Sequence, residues 1–269
     1  MTTTTTERPP RTRRAPEDPK IRARRIEVQR DAGRKRLRRL AIAGCIAGIL
    51  AGLYALTLTP LLDVDDIRVD GATRTGTDAV LAAIDIRRGD ALLTADVGGA
   101  ADALAELPWV ERAEVRRSWP GAISIELVER TPVAAIAAEG GGWVLVDRAG
   151  RQLAVEPEPA LELVRVAGAR IEPRLGRAAG DAYDGALDLA AVVPASLRGR
   201  IGALWPQADG AVEATVTIAD GRTATVRFGT ADQLESKLVA LAAVLERADL
   251  ANVRVIDLRV PGAPALTRG

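Results

Sequence analysis

Twenty-three consecutive residues, Leu40 to Leu62, carry no charge. The run reads LAIAGCIAGILAGLYALTLTPLL and is bounded by Arg38-Arg39 before it and Asp63 after it. As a helix rising about 1.5 Å per residue it spans roughly 34 Å, and the hydrocarbon core of a bilayer is about 30 Å thick. A helix that is apolar on every side is either buried in a large core or crosses a membrane. The length and the charged borders of this run predict a single transmembrane helix over 40–62. Arg34, Lys35, Arg36, Arg38 and Arg39 precede it, and Asp63, Asp65 and Asp66 follow. The positive-inside rule then puts the N-terminus in the cytoplasm and everything from Asp63 onward outside. Arg38-Arg39 is also a twin-arginine pair, but the apolar run is too long for a cleaved signal and no clean Ala-x-Ala site follows, so an uncleaved anchor is expected. Gly44, Gly48 and Gly52 recur every four residues, on one helix face where a second helix can approach; the abundance of glycine in membrane helices gives the same spacing without such a contact. Cys45, inside the run, reads as a small packing residue.

The span separates two oppositely charged parts of a chain whose net charge is only +1. Residues 1–39 hold 14 basic and 5 acidic side chains, a net of +9. The remaining 23 basic and 31 acidic residues all follow the span, a net of −8. The tail 1–39 reads as disordered: Thr2 to Thr6 is a homopolymer, and Pro9, Pro10, Pro16 and Pro19 break any helix. Its last twenty residues can lie as a basic helix on anionic membrane lipid. No aromatic residue interleaves its arginines for base stacking, so no nucleic-acid partner is expected.

Composition removes several chemistries. There is no histidine, and Cys45 is the one cysteine. Ser-His-Asp and Cys-His catalysis, a Cys/His zinc site and an intramolecular disulfide are therefore excluded. Ser118 and Ser196 have no base to activate them. Asp63, Asp65 and Asp66 lack the glycine and bidentate glutamate of a calcium loop. Gly140-Gly141-Gly142 lacks the lysine and following helix of a phosphate loop. No paired carboxylates stand out for acid–base work. The expectation is a non-enzyme with no catalytic residue, cofactor or metal.

The outer part reads as two domains in an α+β fold. From Val64 to about Pro132 the order is β-α-α-β-β: a strand over 64–69 stopped by Asp70-Gly71, a helix capped by Thr77, a second helix over 97–107 stopped by Pro108, then strands over 110–117 and 122–129. Trp109, beside Pro108, is a candidate exposed docking residue. From Val133 onward the reading is β-rich with two or three helices. Trp143–Val146 and Gln152–Val155 flank Asp147-Arg148-Ala149-Gly150 as a hairpin. A strand over 161–166, a helix over 182–193 and two alternating strands ending at Phe228 follow. Thr230 and Gln233 fit a capping box for a helix with Leu234, Leu238, Leu241 and Leu245 on one face. Val253 to Val260 reads as the final strand, and 263–269 as a short tail.

Several stretches carry a resemblance. Val64-Asp65-Asp66-Ile67-Arg68-Val69-Asp70-Gly71, Leu107-Pro108-Trp109-Val110 with Arg117-Ser118-Trp119-Pro120, Glu129-Arg130-Thr131-Pro132-Val133-Ala134 and Leu145-Val146-Asp147-Arg148-Ala149-Gly150 occur in order. Phe228-Gly229, Lys237 and Ile256-Asp257-Leu258-Arg259 complete the run. Over roughly residues 40–262 the chain resembles the FtsQ/DivIB family of bacterial cell-division proteins. The resemblance implies a POTRA (polypeptide-transport-associated) domain over 63–132 and the family's β domain over 133–262. It implies a non-enzymatic, membrane-anchored divisome scaffold at the septum. The implied partners are the single-span coiled-coil proteins FtsB (DivIC) and FtsL, with other divisome proteins. In the family a partner strand adds beside the last strand of the β domain, which puts Ile256, Asp257, Leu258, Arg259 and Val260 at the contact. Val260 stands where some relatives have tyrosine. Asp257 and Arg259 share one strand face, and as plain sheet-edge charges they would guard against aggregation. The alternative functions are a POTRA-containing export protein and a membrane-anchored regulator.

Overall fold

The computed structural model describes residues 38–52, 54, 62–218 and 221–269. Residues 38–52 are helical. Among the described residues no helix is long and apolar enough to cross a membrane. The expected span over 40–62 includes 53 and 55–61, which lie outside the described residues, as do residues 1–37 of the expected disordered tail. Gly44, Gly48 and Gly52 fall in the helical stretch, and a Cβ placed on any of them would meet nothing within 4 Å.

Residues 63–269 form a compact unit of their own. Among the described residues every buried apolar side chain lies between Val64 and Leu258, so this unit carries its own cores. The first part comprises β1 (Asp66–Asp70), α1 (Thr77–Ala83), α2 (Val97–Ala105), β2 (Val110–Ser118) and β3 (Ala122–Glu129). β3 is the central strand, parallel to β1 and antiparallel to β2. Its period-2 alternation puts Ile123, Ile125 and Leu127 inward, where Val80, Leu92 and Leu104 meet them. Thr77 does not cap α1 but is its first residue; Gly76, at φ 79°, holds the cap position with no side-chain bond. α2 is capped by Asp96, whose carboxylate accepts the Gly99 N–H at 2.9 Å.

The second part contains β4 (Ala134–Ala138), β5 (Trp143–Val146), β6 (Gln152–Glu156), β7 (Val164–Ile171), α3 (Asp184–Val192), α4 (Ala195–Arg198), β8 (Ile201–Pro206), β9 (Val212–Thr217), β10 (Thr223–Gly229), α5 (Leu234–Arg247), β11 (Val253–Asp257) and β12 (Ala265–Arg268). The strands form one sheet in the order β12-β11-β10-β9-β8-β7-β4-β5-β6. α5 joins the parallel pair β10 and β11, which a tight turn cannot do. Its leucine stripe meets Phe228, Val226 and Ile256 in the main core.

Four expectations change here. β7 starts at Val164 rather than Leu161, which is 90% exposed. The structure adds β4, β8 and α4, which carry no distinct sequence pattern, to the expected elements. The capping box does not form: Gln233 sits at the cap in the left-handed region (φ 51°) with no side-chain bond, and the Thr230 hydroxyl turns to Asp232 at 2.6 Å. Most important, the strand expected over 253–260 ends at Asp257, and the stretch expected as a tail holds β12, antiparallel to β11. A turn closed by the Ala263 N–H on the Val260 carbonyl (3.0 Å) reverses the chain between them.

Candidate partner-binding edge

An edge strand keeps one row of N–H and C=O groups unpaired. The nine-stranded sheet ends in β6 on one side and β12 on the other. At β6 the chain closes on itself: the Gln152 N–H donates to Arg177 at 2.9 Å, its carbonyl accepts from Gly176 at 2.8 Å, and its side chain accepts from Arg174 at 2.6 Å. Among the described residues no main-chain bond reaches Ala265–Arg268 from the side away from β11. Leu266 packs on the main core, while Ala265, Thr267 and Arg268 are exposed. β12 is thus anchored by one side chain and open along its outer rim.

The residues expected at the contact divide by parity. Ile256 and Leu258 are fully buried core residues, and the main chain of Ile256 is paired on both sides, with Val226 and Leu266. Their side chains lie in the core rather than at the surface. Asp257, Arg259 and Val260 face outward. Arg259 Nη2 donates to Asp257 Oδ2 at 2.6 Å, its Nε reaches both carboxylate oxygens at 3.1 Å, and its main-chain N–H reaches Oδ1 at 3.1 Å. Charge-assisted forks of this kind are stronger than neutral bonds. The Arg259 side-chain bond, against opposing partial burial, holds the Asp257 carboxyl below its ordinary range. The stem of Arg259 lies over Gly229, where a Cβ would come within 2.9 Å of its Cγ.

Two depressions flank this pair. One, an open cleft of about 480 Å³, has a mixed lining that includes Gln207, Asp209, Glu213, Arg227 and Arg259 beside Ala211 and Val212. The other is apolar and includes Val239, Ala240, Ala243 and Pro261; Val239 and Val260 beside it are 70% and 62% exposed. The leucine stripe of α5 pointed to its inner face, and nothing in the sequence singled out Val239 on the outer one.

Behind the edge, Lys237 does what the missing cap does not. Its side chain is 1% exposed, and Nζ donates to the Thr230 carbonyl and to Asp232 Oδ1, both at 2.9 Å. The Thr230 hydroxyl, then the Lys237 ammonium, lower the Asp232 carboxyl from 3.8 to about 2. A depressed carboxyl stabilises the fold above its unfolded value and loses that contribution as pH falls through the folded one. The advantage of wild type over Asp232→Asn in thermal melting is therefore expected to shrink as pH drops from 3.8 to about 2. A gap that stays constant over that window would show that the charge of Asp232 is not what binds this loop.

Two of the sequence motifs meet where the first part joins the second. Arg130 Nη1 lies 2.7 Å from Asp147 Oδ2, with side-chain exposures of 21% and 9%. Asp147 Oδ1 also accepts the Arg151 N–H at 2.8 Å. Arg151 Nη2 reaches the carbonyls at the end of α2, Glu106 at 2.9 Å and Ala105 and Leu107 at 3.3 Å. Neighbouring Glu129 is opposed by partial burial, yet main-chain bonds from Thr75 and Arg74 outweigh it and leave its carboxyl lowered. Trp109 is not an exposed docking residue: it is half-buried under Arg74, whose guanidinium lies 5.4 Å from the ring, and it packs on Ala135, Leu145 and Leu153. Among the described residues no group of acidic or cysteine side chains could hold a metal.

Residues 62–130 match the family model "POTRA domain, FtsQ-type", and residues 134–259 match "Cell division protein FtsQ/DivIB, C-terminal". Those two domains in that order define a class of bacterial cell-division proteins. Similar curated proteins are cell division protein FtsQ from several bacteria. The one from Mycobacteroides abscessus is 31% identical over 249 residues, 90% of this chain and 74% of that protein. The one from Corynebacterium glutamicum is 34% identical over 133 residues, 48% of this chain and 59% of that protein. The one from Mycobacterium tuberculosis is 33% identical over 224 residues, 82% of this chain and 65% of that protein. The chain thus spans less than two thirds of two of these three relatives. It belongs to the FtsQ/DivIB family, whose members are non-enzymatic cell-division proteins.

Proposed function

We propose that this protein is a single-pass scaffold of the divisome, with its N-terminus in the cytoplasm and residues 63–269 outside, working at the septum. Its partners are FtsB/DivIC-like and FtsL-like proteins, and the basic tail rests on membrane lipid. The uncharged run over 40–62 supports the anchor, and its glycine stripe supports helix association. The domain limits follow as 63–132 for the POTRA domain and 133 onward for the β domain, extended past 262 to include β12.

The observation that carries the partner reading is the unpaired rim of β12 beside the Asp257–Arg259 fork. An incoming strand satisfies the open N–H and C=O groups and takes its register from side-chain pockets. The edge is thus β12 rather than the 253–260 strand expected from the sequence. Arg259, with two thirds of its side chain exposed (64%), is the charged contact, and the groove along Val239 and Pro261 accepts an apolar side chain. Arg259→Glu is expected to weaken binding of the outer segment of the FtsB-like partner at least about tenfold, roughly 1.4 kcal/mol. Isothermal titration checks this, with Arg259→Gln as the milder companion and thermal melting as the fold control. Unchanged affinity in both variants would refute this site.

A further inference from the structure

Many arginines of residues 63–269 sit beside carboxylates: Arg68 and Arg88 at Asp66, Arg116 at Glu114, Arg227 at Glu213 and Arg259 at Asp257. Others, such as Arg117, Arg151 and Arg198, donate to main-chain carbonyls instead, and four arginines without a carboxylate partner among the described residues gather at one end of the large sheet. Arg200 precedes β8, Arg222 precedes β10, Arg254 lies at the start of β11 and Arg268 closes β12. The register brings these strand ends side by side: Ile201 faces Val216, Thr217 faces Thr223, Thr225 faces Val255, and Val253 faces Arg268. With strands about 4.8 Å apart, the four steps from β8 to β12 make a row about 19 Å long.

Among the described residues none of these four arginines has a carboxylate within ion-pair distance. Three donate to main-chain carbonyls instead: Arg200 Nε to Thr217 at 3.4 Å, Arg222 Nη2 to Leu250 at 3.5 Å and Arg268 Nη2 to Asp249 at 3.1 Å. A carbonyl orients a guanidinium without neutralising it and leaves most of its five N–H groups free. The acidic neighbours along the chain are Asp249, whose Oδ1 accepts the Ala251 N–H at 2.9 Å, and Asp220, outside the described residues. Arg222 and Arg254 line one open pocket of about 360 Å³ together with Thr223, Asn252, Val253 and Gly269, whose backbone lies against the Arg254 guanidinium. All this stands in a stretch with 23 basic against 31 acidic residues, so the positive row runs against the charge of its surroundings.

We propose that this row is a docking surface for a linear phosphate-bearing polymer. Guanidinium forks suit both carboxylate and phosphate. Here Arg222 and Arg254 reach one pocket from two different strands, and the diverging oxygens of a tetrahedral phosphate satisfy two such donors better than a planar carboxylate does. The row is spread along one rim, which fits a chain of charges rather than a single ion. The surface lies at the opposite end of the strands from the Asp257–Arg259 pair and shares only Arg268 with β12, the partner edge proposed above; its argument does not rest on that edge.

The test uses the 63–269 unit, whose cores are complete within it, because the arginine-rich tail would bind any polyanion. The probe is short-chain inorganic polyphosphate, with poly-glutamate as the carboxylate comparison. Arg222→Gln, Arg254→Gln and Arg268→Gln together are expected to weaken polyphosphate binding at least tenfold. They should also flatten the dependence of log affinity on log salt by about 2, three contacts at roughly 0.7 each. A control triple of paired arginines, Arg68→Gln, Arg116→Gln and Arg174→Gln (Arg174 pairs with Glu172), removes the same charge and should change affinity by less than about threefold, the scale of exposed pairs. Arg222→Lys, Arg254→Lys and Arg268→Lys together should keep the salt slope. Thermal melting confirms that each variant is folded. Equal losses in both glutamine triples, poly-glutamate binding as tightly as polyphosphate, or no polyphosphate binding at near-physiological salt would each overturn the proposal.

Discussion

Gly71→Ala is expected to cost the 63–269 unit about 3 kcal/mol or more of stability. Gly71 sits at φ 84°, directly after β1. A side chain in that left-handed region costs about 1–2 kcal/mol. The added Cβ would also stand inside the van der Waals distance of the Leu127 carbonyl oxygen and 3.0 Å from its carbon. Both atoms belong to the backbone of the central strand β3, so the strand itself must move, and overpacking of this kind costs a further 1–3 kcal/mol or so. Gly140→Ala is the matched control: it has the same φ of 84° but nothing within 4 Å. It should lose only the backbone part, about 1–2 kcal/mol. Urea unfolding of the two variants separates conformation from close approach. Equal losses would mean that the packing of the first turn on β3 is not as described.

Asp147→Ala is expected to cost about 3 kcal/mol. Removing one partner of a buried ion pair leaves the other desolvated and unpaired, at roughly 3–5 kcal/mol, and the 21% exposure of Arg130 moves the value toward the low end. The same change takes the acceptor from the Arg151 N–H and loosens the arginine that grips the end of α2. The comparison is Asp66→Ala, whose pair with Arg68 is exposed on both sides at 67% and 45% and is worth about 0–1 kcal/mol. Replacing Arg130 by Met and Asp147 by Leu together should recover much of the loss, because well-packed apolar groups substitute for a buried pair. If Asp147→Ala costs no more than Asp66→Ala, this pair does not fix the junction.

Periodicity made much of the fold legible. The alternation through Ile123, Ile125 and Leu127 and the leucine spacing of α5 are strong local patterns, and both describe what the core contains. The motifs around Glu129-Arg130 and Asp147–Gly150 were legible as sequence, but their reason was not. It is a long-range contact between two segments that no local pattern connects. β12 was illegible for a related cause. Ala-Leu-Thr-Arg after two prolines has almost no strand signature, and it is a strand because β11 offers it a partner. The cap of α5 misled because Lys237, buried one turn into the helix, ties down Thr230 and Asp232 in place of the capping box. Parity did place Asp257 and Arg259 on one face. What it could not reveal is that the alternate residues, Ile256 and Leu258, lie wholly inside.

The most direct test of the account is amide hydrogen exchange of the 63–269 unit with and without the outer segment of the FtsB-like partner. Strand addition predicts that protection rises at Ala265–Arg268, while β6 and the strands of the first domain exchange as before. Protection gained at β6 or in the first domain, with β12 exchanging at its free rate in the complex, would contradict it.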